Sequence, residues 1–330
     1  MPAFLFKRLL NAAGVMLAVA FLAFLIFRFV GDPVELMLNE QASQAQRDEL
    51  RVRLGLDKGF LMQFATFVGN ALRGDFGISY RNQQDVFTLI AERFPATFEL
   101  VLVATVLSLV IGIPLGVYTA IRRDSFLAKT LQIVSVLGVS LPSFALGILF
   151  ILVFSVTLQW LPAFGRGQVV QIGWWSTGFL TPSGRLALIL PGITLSLFQI
   201  TLVMRLVRAE MLETMRTDFI RFARARGLPA RTVHFGHALR NCLMPVITVT
   251  GLQIGNLIAF ALVTETVFQW PGMGLLFVQA VTFVDIPVMA AYLMVVSFIF
   301  VSLNTLVDLT YAWVDPRLRE DAISGVANAR

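Results

Sequence analysis

Charged residues divide this chain into long apolar runs. The uncharged stretches Leu9–Phe27, Leu100–Ile121, Thr130–Leu161, Leu186–Met204, Asn241–Thr264 and Ile286–Val307 are each about the length of a membrane span. A bilayer core about 30 Å thick is crossed by roughly 20 residues of helix, so the pattern predicts six transmembrane helices. A seventh uncharged run, Thr266–Val284, is broken near its start by Trp270-Pro271-Gly272-Met273-Gly274. It is expected to be a partly buried re-entrant or interfacial segment. Lys7 and Arg8 precede the first run, as in a signal peptide, but the small triplet Ala18-Val19-Ala20 lies mid-run rather than at its end. Cleavage sites follow the apolar region, and an uncleaved first helix is expected.

The polar segments between the runs complete the layout. Residues 31–97 form the one stretch of soluble character, with nine acids and seven bases. There Ser43 and Gln46 make a capping box for a helix from Gln44 to Leu54, ahead of Gly55. Arg73-Gly74-Asp75-Phe76-Gly77 reads as tight turns, because glycine tolerates positive φ. A small helical module is expected here. The division is 1–30, N-terminus and first helix; 31–97, extracytoplasmic segment; 98–313, transmembrane core with the loop 205–240; and 314–330, a cytoplasmic tail. Gly112, Pro114 and Gly116 in the second run, and Pro142 and Gly147 in the third, permit bending. Asn304, Asp308 and Tyr311 make one polar stripe on the last helix, expected to pack against protein.

Composition supports a bilayer protein. Of 330 residues, 57% are hydrophobic and 14% charged, against about a quarter charged in soluble domains. The net charge of +6 falls in short segments between the runs, which is a topology signal rather than a basic nucleic-acid face. Lys7, Arg8, Arg122, Arg123, Lys129, Arg317, Arg319, Arg330 and the eight arginines of 205–240 lie on one side. Segments 159–185 and 266–285 carry only Arg166 and Arg185. Both termini are therefore expected in the cytoplasm.

Catalytic chemistry is hard to find. None of the three lysines follows a glycine, so there is no GxxxxGK[ST] loop for ATP. His234, His237 and Cys242 are close in sequence, but no acid lies between Arg221 and Asn241, and no metal site is expected. The single cysteine forms no internal disulfide. No histidine lies within a run, and Glu99, Glu265 and Asp308 sit at run ends. That argues against an intramembrane protease and against a proton-coupled carrier.

The loop Arg205–Arg240 remains. Eight arginines at the bilayer centre would cost roughly 20 kcal/mol or more, so the loop lies in water or against protein. Phe219, Phe222 and Ala223 read as one helix face, with Arg221 and Arg224 off it. Gly227 can end that helix and Pro229 can open the next. Composition alone leaves an anionic lipid surface and a partner protein equally open.

"ARARGL" and "HALRNCLMP" in this loop resemble the cytoplasmic coupling loop of ABC-importer permeases, specifically the dipeptide/oligopeptide/nickel branch. Further matches follow in order along the chain. They are "VGDPVE" (30–35), "LGLDKGFLMQF", "GDFGIS" (74–79), "RFPATFEL" (93–100), "LPSFALG" (141–147), "WLPAFG", "TETVFQWPGMG" (264–274) and "NTLVDLTYAWVDPRLR" (304–319). Arg221-Phe222-Ala223 stands where the broad importer motif has Glu-Ala-Ala, and Leu239-Arg240 where it has Leu-Pro, departures that the peptide branch shares. Val30 replaces the branch's proline before Gly-Asp-Pro.

The resemblance implies an all-α integral membrane protein of the type I ABC-importer permease fold, with six transmembrane helices and a small helical extracytoplasmic segment. It implies a multi-pass subunit of the bacterial cytoplasmic membrane, not an enzyme. Its partners would be a second homologous permease, two ATP-binding subunits, an extracytoplasmic solute-binding protein and membrane lipid, with no nucleic acid. No cofactor is expected in this chain, since ATP and Mg would sit on the ATPases. Phe219, Arg221, Phe222, Ala223, Arg224 and Gly227 would form the ATPase-coupling element. Di- and oligopeptides are the cargo of the leading reading, while nickel, glutathione or another small solute would share every motif. An ion-coupled secondary carrier and a non-transporting scaffold are the readings from other classes.

Overall fold

The computed structural model describes residues 2–29, 34, 43–53 and 57–314. Most of the Val30–Glu35 motif, the tail from 315 and the side chains of Asp308 and Tyr311 lie outside the described residues. The chain divides into two compact units, residues 1–95 with 272–330, and residues 96–271.

In the first unit, α1 (Pro2–Phe29) packs against α11 (Ile286–Val314). Helix α2 (Gln44–Arg53) starts at the expected capping box. Gln46 Oε1 accepts from the Ser43 amide at 2.9 Å, and Ser43 Oγ accepts from the Gln46 amide at 3.4 Å. Helix α3 (Phe60–Ala71) lies against α1 through a cluster of phenylalanines. The expected turns follow, with Gly74 at φ 77° and Gly77 at φ 81°. Asp285, buried just before α11, accepts from Ser79 Oγ at 2.5 Å and from the Tyr80 amide at 3.1 Å. That clasp ties the turn segment to the last helix. Helix α10 (Met273–Thr282) precedes it, and Phe277 of α10 stacks on Tyr292 of α11 at 4.4 Å. Ten residues make about 15 Å of helix, too short to cross a bilayer, which agrees with a segment that does not span.

Helix α4 (Val86–Ile121) begins in the first unit and supplies most of its length to the second. Asp85 caps it, accepting from the Thr88 amide at 2.8 Å. The second unit continues with α5 (Phe126–Ser140), α6 (Ser143–Phe150) running into a π-helix (Ile151–Thr157), α7 (Pro182–Thr214), α8 (Asp218–Ala225), a second π-helix (Thr232–Ala238) and α9 (Leu239–Val267).

Among the described residues, five helices are long and apolar enough to cross a membrane: Arg8–Ile26, Val86–Ile121, Pro182–Thr214, Thr232–Val267 and Ile286–Val307. The third expected span, Thr130–Leu161, is not one helix. Pro142, at φ −59° and ψ 135°, separates α5 from α6. Proline removes a backbone donor and disfavours helix in the residue before it, so an uncharged run becomes two short helices. Helix α4 runs without a break through Gly112, Pro114 and Gly116. The glycines admit α7. A Cβ on Gly116 would lie 2.6 Å from Val207 Cβ and 2.7 Å from the Met204 carbonyl oxygen. Gly112 meets Val203 at 2.9 Å in the same way. This is small-residue packing, which lets membrane helices approach closely.

Among the described residues, the two-stranded sheet lies between α6 and α7. Segment 159–185 carries a two-stranded hairpin, β1 (Val170–Ile172) with β2 (Trp175–Thr177), turned at Gly173 and Trp174. It is pinned from within. Arg166 Nη2 donates to Glu99 Oε2 and to the Ser176 carbonyl, both at 2.7 Å, and Arg166 Nη1 donates to Ser176 Oγ at 2.9 Å. The Gly178 amide donates to Glu99 as well. Trp270 is fully buried beside this network and donates from Nε1 to the Ala96 carbonyl at 2.9 Å.

Candidate functional site

The arginine-rich loop is shorter than the sequence suggests. Helix α7 continues ten residues past Met204, and the next helix has begun by Ala230. Only Met215–Thr217 and Arg226–Pro229 link α8 to its neighbours. Both links are tied back by hydrogen bonds. The amides of Met215, Arg216 and Thr217 donate to the carbonyls of Met211, Glu213 and Thr214.

Asp218 in the first turn and Arg224 in the last turn of α8 complement its dipole. Its C-terminus is a Schellman motif: the Gly227 amide donates to the Arg224 carbonyl at 2.9 Å, and the Leu228 amide reaches the Ala223 carbonyl at 3.4 Å. Gly227 takes φ 75°, and nothing lies within 4 Å of where a Cβ would stand. The glycine answers a backbone need, as its position in the sequence implies, and not a packing one.

The two faces of α8 differ. Ile220 is fully buried and Ala223 nearly so, in a cluster with Val117, Ala120, Val207, Met211, Val233, Ala238, Cys242 and Val246. Phe219 and Phe222 point away, 46% and 63% exposed. The single face expected for Phe219, Phe222 and Ala223 is therefore two adjacent arcs. At 100° per residue, Ala223 is 40° from Phe219 on the side toward Ile220, and the core takes the small residue while the rings stay outside. Ile220 is the anchor that the period reading missed.

Arg221 lies off the aromatic arc and pairs with Asp218 at 3.2 Å, both exposed. Arg226 sits 5.7 Å from the Phe222 ring. Arg224 is exposed on the same helix, and of the eight arginines in 205–240 all but Arg208 are exposed. Phe235 and Leu228 add exposed apolar surface nearby. Cys242 is buried and donates to the Ala238 carbonyl at 3.1 Å. The result is an exposed aromatic and cationic face on a helix whose opposite side is locked into the second unit.

Long apolar helices with such a face define a multi-span membrane protein. Residues 112–320 match the family model described as binding-protein-dependent transport system inner membrane component, and residues 1–101 match its N-terminal counterpart. The chain belongs to this family, and is a multi-pass permease component of the inner membrane. It is 40% identical to a putative peptide transport system permease protein of Brucella abortus, over 97% of this chain and 100% of that one. It is 39% identical to the probable D,D-dipeptide transport system permease protein of Escherichia coli K12, covering 92% and 94%. A di/tripeptide transport system permease protein of Pseudomonas aeruginosa is 37% identical, covering 97% and 99%. Among solved structures, the MetNI methionine ABC transporter in an inward-facing form matches with a TM-score of 0.52 at 18% identity, over 69% of this chain and 96% of that one. That likeness supports the type I permease fold and nothing finer.

Proposed function

We propose that this chain is one of two permease subunits of an ATP-driven importer of di- and oligopeptides, with α8 as the element that engages an ATP-binding subunit. The observation that carries the reading is the division of α8 into a buried Ile220–Ala223 side and an exposed Phe219–Phe222 side. Aromatic and arginine side chains dominate binding hot spots, and Phe219, Phe222, Arg221, Arg224 and Arg226 supply both. A helix fixed on its other side transmits a push as a rigid body, which is how two packed states interconvert. The membrane orientation that follows from the arginines puts both termini and α8 in the cytoplasm. Peptide as cargo rests on the names of the relatives, which cover nearly the whole chain.

The test is purification of the tagged chain in mild detergent, then reconstitution. Recovery of two ATPase chains and a second permease, with ATP-dependent uptake of dipeptide into vesicles, is the expected result. Uptake of nickel or glutathione in place of peptide would reassign the cargo. Solute movement by the chain alone, driven by an ion gradient, would overturn the reading.

A further inference from the structure

Helix α3 carries no charged residue between Phe60 and Leu72, yet it lies in a segment with nine acids and seven bases. One side of it packs on α1. Phe60, Phe64 and Phe67 surround Phe24, with ring centroids 5.3–5.9 Å apart, and Phe21 meets Phe60 and Phe64. Phe21 and Phe24 belong to the apolar part of α1 that is long enough to span a membrane, Arg8–Ile26. At 1.5 Å per residue they lie about 3–8 Å inside that span's end. A helix that touches α1 at this height lies beside its apolar stretch rather than beyond the end of it.

The other side of α3 is apolar and exposed. Leu61 and Leu72 are 79% and 84% exposed, Met62 and Ala65 are exposed with them, and all four fall within a 100° arc. Leu61, Met62 and Ala65 also line an open apolar groove with Gly59 and Phe60. Between the exposed arc and the α1-facing arc lies one narrow polar edge, Thr66 and Asn70, both exposed. Basic residues frame the helix, with Lys58 before it and Arg73 after it. Arg28, at the end of α1, donates from Nη1 to Gln63 Oε1 at 2.7 Å, and Gln63 Nε2 donates to the Lys58 carbonyl at 2.7 Å.

We infer that α3 is an interfacial helix whose Leu61–Met62–Ala65–Leu72 face is immersed in the hydrocarbon of the leaflet at the C-terminal end of α1. Helices of this kind sink about 5–10 Å into the boundary between headgroups and acyl chains, which matches the depth set by Phe21 and Phe24. Thr66 and Asn70 then meet the headgroup layer, and Lys58 and Arg73 extend toward lipid phosphates as long cationic side chains do at membrane surfaces. Water is the wrong solvent for this face, because a contiguous uncharged arc of leucine and methionine gains from removal of apolar area. The helix thus anchors the polar segment that follows it to the lipid surface.

The chain's single cysteine, Cys242, is buried, so a cysteine placed on α3 in a Cys242→Ala background is labelled alone. Nitroxides at Leu61→Cys, Ala65→Cys and Leu72→Cys, with Asn82→Cys as an aqueous control, are read by spin resonance in phosphatidylethanolamine/phosphatidylglycerol vesicles. Both the chain alone and the chain with its co-purifying partners are measured. The expected result is relaxation several-fold stronger with oxygen than with a water-soluble nickel chelate at the three α3 sites, and the reverse at Asn82, in both preparations. Stronger relaxation by the chelate at Leu61→Cys and Leu72→Cys places the face in water and overturns the inference. Loss of oxygen access on adding the partners assigns the face to a protein interface, which overturns it as well.

Discussion

Arg166 and Glu99 are joined at 2.7 Å with side chains only 6% and 1% exposed, although 67 residues separate them in sequence. The pair holds segment 159–185 to α4. Two charges taken out of water need each other and further hydrogen bonds; Ser176 and Gly178 supply several here, while Arg166 Nε has no partner among the described residues.

Removing one member strands the other. Glu99→Leu or Arg166→Met alone is expected to destabilise the second unit by about 3–5 kcal/mol, read as a lower midpoint of thermal unfolding in detergent. Combining Glu99→Leu with Arg166→Met removes both buried charges and is expected to recover most of the loss. A double variant as unstable as the sum of the singles would mean that the pair is not coupled as its geometry says.

The contact of α4 with α7 leaves no room at Gly116. Gly116→Val must displace Val207 or the Met204 carbonyl, and overpacking of this kind costs about 1–3 kcal/mol. Lower yield of folded protein and a reduced unfolding midpoint are expected, whereas Gly69→Ala, inside α3 where a Cβ meets nothing within 4 Å, lowers neither.

The two arcs of α8 are separable by mutation. Ile220→Ala deletes buried methyl groups from the cluster with Met211 and Val233, at about 2–5 kcal/mol. It is expected to lower stability. Phe222→Ala leaves the unfolding midpoint unchanged and weakens co-purification of the ATP-binding subunits, with a loss above about 1 kcal/mol if Phe222 is a hot spot. Equal recovery of those subunits with Phe222→Ala would remove the outer arc from the coupling proposal.

Gly227 sits at φ 75° in open surroundings. A side chain there meets no neighbour, but an L-residue resists the left-handed conformation by about 1–2 kcal/mol. Gly227→Val is expected to insert normally, to keep ATP hydrolysis in the assembled transporter, and to lose uptake. Normal uptake by this variant would show that the Schellman turn has no part in coupling.

What the sequence discloses follows from how local each signal is. The capping box at Ser43, the glycine turns at Gly74 and Gly77 and the helix stop at Gly227 depend on neighbours within a few residues, and all appear where expected. Span ends were less legible, because a helix leaving the bilayer carries polar residues without stopping, as α7 does from Arg205 to Thr214. Pro142 breaks a run that hydropathy leaves whole. Pairings such as Glu99 with Arg166, and Asp285 with Ser79, join distant segments and leave no trace in the local pattern. Ile220 escaped because two arcs 40° apart merge in so short a helix.

The two links beside α8 have a mechanical corollary. Three and four residues, already hydrogen-bonded back to their own helices, reach at most about 10–14 Å when pulled straight. If α8 is the coupling element proposed above, the joint leaves little slack between it and α7 and α9, and a shove on it would reach both helices.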